Sequence, residues 1–144
     1  DISRDAIIQA RENAQLLKLK ERSEFFRSNW FEGLRNLKFD IILCNPPYIS
    51  REEKQDLQDE VLIFDPEQAL FSDKKGFADF EIIFSNLAKY LNSNGIALIE
   101  IGYNQLERVS DLAHLSNLHV YNVFRDLQGI PRCMILCHPN STVL

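Results

Sequence analysis

The residues Asn45-Pro46-Pro47-Tyr48 follow the apolar run Phe39-Asp40-Ile41-Ile42-Leu43-Cys44 and precede a polar string that opens at Ser50. Pro46 and Pro47 hold fixed backbone angles and have no N–H to donate, so the polar groups they offer are carbonyl acceptors. Asn45 adds a side-chain acceptor and donor, and Tyr48 adds a flat apolar face with a phenolic tip. A rim of this kind suits a planar amide or amine, with acceptors for its N–H groups and a ring along its plane. The plain alternative is a strand-ending turn.

Three other positions could join such a site. Asp1 offers a carboxylate able to accept two hydroxyl hydrogen bonds from a ribose, Asn29 an amide able to pair with a heterocycle, and Trp30 a face to cover a base. Each has an ordinary reading beside the chemical one: Asp1 as a helix-start residue, Asn29 as a turn residue and Trp30 as core. In open α/β sheets ligands gather beyond the carboxyl ends of the strands. Asp1, Asn29, Asn45 and Gly102 all fall at such ends in the element reading that follows.

Ala6, Ala10, Ala14 and Leu17 recur at helical spacing with Ile7 beside them, which predicts a helix over residues 3–17 capped by Ser3. Glu24-Phe25-Phe26 reads as a short strand ending near Asn29. Phe39 to Leu43 has a β-branched centre and is expected to be a strand buried on both faces. Residues 50–70 are polar, contain Pro66 and lack period, which predicts a long excursion with short helical pieces, suited to a lid or substrate loop. Phe80, Phe84, Leu87, Ala88 and Leu91 form a helical stripe over residues 77–91, stopped by Asn94-Gly95. A strand from Ile96 to Ile101 is followed by a helix carrying Leu106, Val109, Leu112 and Ala113. Two last strands, residues 120–124 and 133–137, could pair as a hairpin. The alternation points to an α/β sheet with crossover helices.

Composition narrows the class. At 144 residues, 45% hydrophobic and 26% charged, the chain is long enough for one domain with a real core. Its formal charge of −5 provides no broad attraction for nucleic acid, and no stable nucleic-acid binding is expected. No apolar run approaches the length of a membrane span, so no membrane association is expected and the chain reads as cytoplasmic. Cys133, Ile135 and Cys137 alternate on one face of a strand, which makes packing the reading for these cysteines and His138 and leaves no metal expected.

The quoted residues closely resemble the peptide chain release factor glutamine methyltransferase family, within the class I methyltransferases that use S-adenosylmethionine. The resemblance runs from Asp1-Ile2-Ser3 through Ser28-Asn29-Trp30-Phe31, Asn45-Pro46-Pro47-Tyr48-Ile49, Asp65-Pro66, Glu100-Ile101-Gly102 and Arg125-Asp126-Leu127 with Gly129 and Arg132. It implies a Rossmann-like sheet, mostly parallel with a C-terminal antiparallel hairpin. It also implies that residues 1–144 are part of a catalytic domain, whose first strands, glycine-rich cofactor loop and helical substrate-recognition domain would lie upstream of Asp1.

The implied activity is methylation of the glutamine side-chain amide nitrogen in the Gly-Gly-Gln loop of class 1 release factors. The resemblance assigns Asp1 to the cofactor ribose, Asn29 and Trp30 to its adenine, and Asn45 to the cofactor site as well as to the substrate. Asn45 and the Pro46 carbonyl would hold the target amide, Tyr48 would pack over it and Pro47 would fix the turn. Asn29 stands where the family often has Asp, which exchanges a charged acceptor for a neutral one. Asn-Pro-Pro-Tyr alone also fits enzymes that methylate the adenine amino group of DNA or RNA. A third reading is a noncatalytic fragment that binds another chain through Phe77, Phe80, Phe84 and self-associates through an exposed sheet edge.

Overall fold

The computed structural model describes residues 1–142. They divide into a first compact unit, Asp1–Leu37, and a second that begins at Lys38. Among the described residues no helix is long and apolar enough to cross a membrane.

The first unit is built on α1, Arg4–Leu16. The Ser3 hydroxyl accepts from the Ala6 amide at 3.2 Å and satisfies one of the donors that a helix start leaves open. Ile7 and Ala14 are the buried residues of α1. The strand expected at Glu24-Phe25-Phe26 does not form. Asp1 and residues 26–28 run side by side, with the Asp1 amine donating to the Phe26 carbonyl (3.2 Å) and the Ser28 amide to the Asp1 carbonyl (3.0 Å). Neither segment continues that pairing, and a strand needs a repeated ladder.

In the second unit β1 is Phe39–Cys44, β2 Leu91–Glu100, β3 His119–Arg125 and β4 Pro131–Cys137. They lie in the order β1-β2-β4-β3. β1 and β2 are parallel, and β4 is antiparallel to both β2 and β3. The sheet is therefore mixed, its parallel part a single pair among the described strands, and the expected terminal hairpin is present. Between β1 and β2 come α2 (Asp59–Phe64), α3 (Glu67–Leu70), a tight turn designated α4 (Asp73–Gly76) and the long α5 (Ala78–Tyr90), and α6 (Leu106–Leu115) follows β2.

Register fixes which face is the core. Ile42, Ala97 and Leu136 lie in one row, and Cys44, Ile99 and Met134 in the next. Ala97, Ile99, Met134 and Leu136 are fully buried. The i, i+3, i+4 stripe of α5 supplies Phe80, Ile83, Phe84 and Leu87, all buried, and α6 supplies Val109 and Ala113. Phe80 and Phe84 are thus core residues, ring against ring at 5.9 Å, and cannot be the docking surface of the noncatalytic reading.

Two expectations are corrected here. β1 is covered on one face only, where Ile42 and Cys44 are half-buried: Ile41 and Leu43 point to the opposite face and are 60% and 75% exposed. As the end strand of this sheet, β1 has a ladder neighbour on one side only. The helix before β2 has its expected extent, Ala78–Tyr90 against residues 77–91, but Asn94-Gly95 is not what stops it: Leu91 turns to extended angles and pairs with Phe39. Residues 92–95 bulge before pairing resumes at Ile41 and Ile96, and a Cβ on Gly95 would lie 2.7 Å from the Phe39 carbonyl oxygen.

The excursion after β1 is folded. Ser50 and Glu53 form a capping box at the start of the short 3-10 turn Arg51–Asp56, with the Glu52 amide donating to the Ser50 hydroxyl and the Ser50 amide to the Glu53 carboxylate. Its base is closed by a parallel bridge between Ile49 and Phe71, in which the Ile49 amide donates to the Leu70 carbonyl and the Ser72 amide to the Ile49 carbonyl. Arg51 and Lys54 lie over the ring of buried Phe71 and both pair with Glu67, whose carboxyl Lys54 holds below the ordinary range.

Candidate active site

The Asn45-Pro46-Pro47-Tyr48 rim leaves the carboxyl end of β1, where the sequence placed it, and lies beside the carboxyl end of β2. Asn45 is exposed, and among the described residues its side chain has no hydrogen-bond partner. Pro46 is fully buried, yet no hydrogen bond from a described residue ends on its carbonyl. The rim thus keeps acceptors in hand where the chain turns.

Tyr48 is fixed from several sides. Its hydroxyl donates to Glu100 Oε1 at 2.9 Å, and its carbonyl accepts from Gln105 Nε2 at 2.9 Å. Gln105, itself buried, turns its Oε1 to the Gly102 amide at 2.9 Å, so one side chain ties the rim to the tip of β2. Two glycines leave room for this arrangement. A Cβ on Gly102 would come within 2.8 Å of the Tyr48 ring, and one on Gly76 within 2.2 Å of the Tyr48 carbonyl oxygen.

The Tyr48 phenol is pushed up to about 12, first by burial, then by its hydrogen bond to Glu100 and the Glu100 charge, with Arg132 pulling the other way. Arg132 is placed by the hairpin: its Nε donates to Asp126 at 3.2 Å, while Asp126 accepts the Gln128 and Ile130 amides and closes the turn. Those amides and Arg132 hold the Asp126 carboxyl below its ordinary value. Burial likewise pushes the Cys44 thiol up to about 12, which keeps it a neutral packing group at the strand end.

A raised phenol means that its neutral form is favoured by folding. The contribution is therefore complete below the ordinary tyrosine value and fades as pH rises toward about 12. We expect the ultraviolet phenolate titration of the wild type minus that of Tyr48→Phe to be centred near 12. A difference curve at the value of a free tyrosine would contradict the Glu100 contact.

In the first unit, Asp1 and Trp30 line one cleft of about 340 Å³ together with Ala6, Ala10, Phe26 and Leu34. Asp1 Oδ1 accepts from the Ser3 amide at 2.8 Å, the helix-start role, and no hydrogen bond from a described residue ends on Oδ2. Asn29 is not among the cleft residues. It opens a turn in which its carbonyl accepts from the Glu32 amide and its side-chain Nδ2 reaches Glu32 Oε1 at 3.4 Å, so its expected place at a strand tip is corrected. Trp30 follows at φ 48°. An open carboxylate oxygen, a small-residue wall and an indole suit a diol with a flat heterocycle. The sequence did not single out Glu100, Gln105 or Gly76 for a role. A glutamate ending an apolar strand and a glutamine opening a helix were the available signals, but only the fold brings them to Tyr48.

The mixed α/β sheet, with its polar rim at the strand tips, has the class I methyltransferase fold. The crystal structure of a ribosomal protein L11 methylase from Lactobacillus delbrueckii subsp. bulgaricus has it too, with a TM-score of 0.64 and 18% identity over 96% of this chain and 55% of that one. Residues 1–77 match the methyltransferase small domain, and the chain belongs to that family. It is 41% identical over 135 residues to a bifunctional methyltransferase of Rickettsia felis, covering 94% of this chain and 26% of that protein. It is 36% identical, again over 135 residues, to a release factor glutamine methyltransferase of Aquifex aeolicus, covering 94% of this chain and 47% of that one. The chain thus spans between a quarter and a half of the length of these relatives.

Proposed function

We propose that this chain is the acceptor-binding part of an S-adenosylmethionine-dependent enzyme that methylates the side-chain amide nitrogen of glutamine in the Gly-Gly-Gln loop of class 1 release factors, in the cytoplasm. The observation that carries the reading is the Asn45-Pro46-Pro47-Tyr48 rim, with its unpartnered Asn45 side-chain amide and Pro46 carbonyl among the described residues and a ring held in place before any acceptor arrives. Similarity to the Aquifex aeolicus enzyme supports the choice of acceptor.

S-adenosylmethionine would supply an electrophilic methyl on a sulfonium; Asp1 would hold its ribose and Trp30, with Asn29, its adenine. What the chain must overcome is the weak nucleophilicity of an amide nitrogen, whose lone pair is delocalised into the carbonyl. Asn45 Oδ1 and the Pro46 carbonyl, by accepting the two N–H bonds, orient the nitrogen and favour the pyramidal geometry it acquires as the N–C bond forms. Tyr48 holds the plane of the amide, and Pro47 keeps the acceptors from turning away. S-adenosylmethionine, when bound, would give up its methyl to the nitrogen and depart as S-adenosylhomocysteine. The surplus proton leaves the now acidic nitrogen to water, so no strong base is needed.

The test is transfer of labelled methyl by the protein that carries this chain to a class 1 release factor, beside the same factor with its Gly-Gly-Gln glutamine replaced by alanine. Label on the first and none on the second is expected. Equal labelling of both, or transfer to adenine in DNA or RNA instead, would overturn the reading.

A further inference from the structure

Glu100 is the last residue of β2, and its register partner across the sheet is Cys133 of β4. Its carboxylate accepts the Tyr48 hydroxyl at 2.9 Å. The neighbouring cation, Arg132, is engaged by Asp126, which leaves the phenol as the hydrogen-bond partner of Glu100 among the described residues. A tyrosine ring at a loop tip ordinarily turns about two side-chain torsions. Here the hydroxyl is tied to one strand end, the carbonyl to Gln105 and the ring to the bare Cα of Gly102. Ordering the ring in advance removes a cost that acceptor binding would otherwise carry.

We propose that Glu100 is a positioning residue for methyl transfer: by accepting the Tyr48 hydroxyl it sets the tilt of the ring against which the acceptor amide is aligned. The proposal rests on the reading of Tyr48 as the wall of the acceptor site. In this role Glu100 acts through the ring alone, by way of the Tyr48 hydroxyl. An effect of Glu100 on transfer therefore requires the Tyr48 hydroxyl. A purely structural brace, by contrast, would alter stability without coupling the two residues in turnover.

The experiment is a double-mutant cycle on kcat in the protein that carries this chain, with Glu100→Ala, Tyr48→Phe and the pair, and with Glu100→Gln as the conservative variant. Glu100 is only half-buried, so its replacement leaves no sealed cavity. Each single change is expected to lower kcat about tenfold with donor affinity unchanged, and the double variant to be no slower than either. Glu100→Gln, which keeps an acceptor for the hydroxyl, is expected to retain most of the rate while the Tyr48 phenol titrates lower than in the wild type. A Glu100→Ala enzyme as fast as wild type, or a double variant slowed by the product of the single effects, would overturn the proposal. A wild-type protein that fails to label the release-factor glutamine would instead refute the underlying functional reading.

Discussion

Replacing Asn45 with alanine is expected, on the proposed function, to slow methyl transfer to the glutamine amide by about two orders of magnitude, the loss of one preorganised hydrogen bond worth about 3 kcal/mol in the transition state. The effect on the fold should be small. Asn45 is exposed, its side chain holds no described residue, and its backbone is confined to extended angles by the proline that follows, a restriction alanine shares. A surface change of this kind stays within about 0.5 kcal/mol of wild-type stability. Single-turnover rates, cofactor binding by calorimetry and urea midpoints read the three quantities separately. The expected pattern is a large fall in the first, with little change in the second or third. Equal losses in transfer and in cofactor affinity would show that Asn45 serves mainly the cofactor, and the acceptor role would fall.

That separation is possible because the rim was the most legible feature of the sequence. Two consecutive prolines after a β-branched run announce a strand end by local stereochemistry, and the structure places them there. The stripes of α5 and α6 were legible for the same kind of reason, since helical spacing alone brings Phe80, Phe84 and Leu87 to one side. Features decided by neighbours distant in the chain were not. Phe25 and Phe26 have strand-forming side chains but no continuing ladder. Ile41 and Leu43 have the composition of a doubly buried strand, yet burial depends on what covers the sheet. Asn94-Gly95 has turn chemistry, but pairing between Leu91 and Phe39 begins the strand first. The residues around Tyr48 come from positions 76, 100, 102 and 105, and no periodicity links them.

Gly76→Ala is expected to be the most damaging small substitution in this part of the protein, costing about 2–4 kcal/mol and slowing transfer with it. Gly76 sits at φ 87° after Lys74 and Lys75, themselves left-handed at φ 53° and 59°. The first contribution is conformational: a side chain in this region costs roughly 1–2 kcal/mol through its own backbone. The second is contact. A Cβ would lie 2.2 Å from the Tyr48 carbonyl oxygen and 2.9 Å from Gln105 Nε2, the two atoms that hydrogen-bond to each other. The carbonyl is backbone and cannot swing aside like a flexible side chain, so residues 47–49 must shift and the Gln105 bond must lengthen. Gly129 provides the control. It has nearly the same angle, φ 82°, but nothing lies within 4 Å of where its Cβ would stand. Gly129→Ala should therefore show the conformational cost of about 1–2 kcal/mol alone, with transfer unaffected. The difference between the two variants in urea denaturation isolates the contact with Tyr48. Equal destabilisation by both would mean that the rim yields freely at Gly76 and that its backbone is not held as the structure indicates.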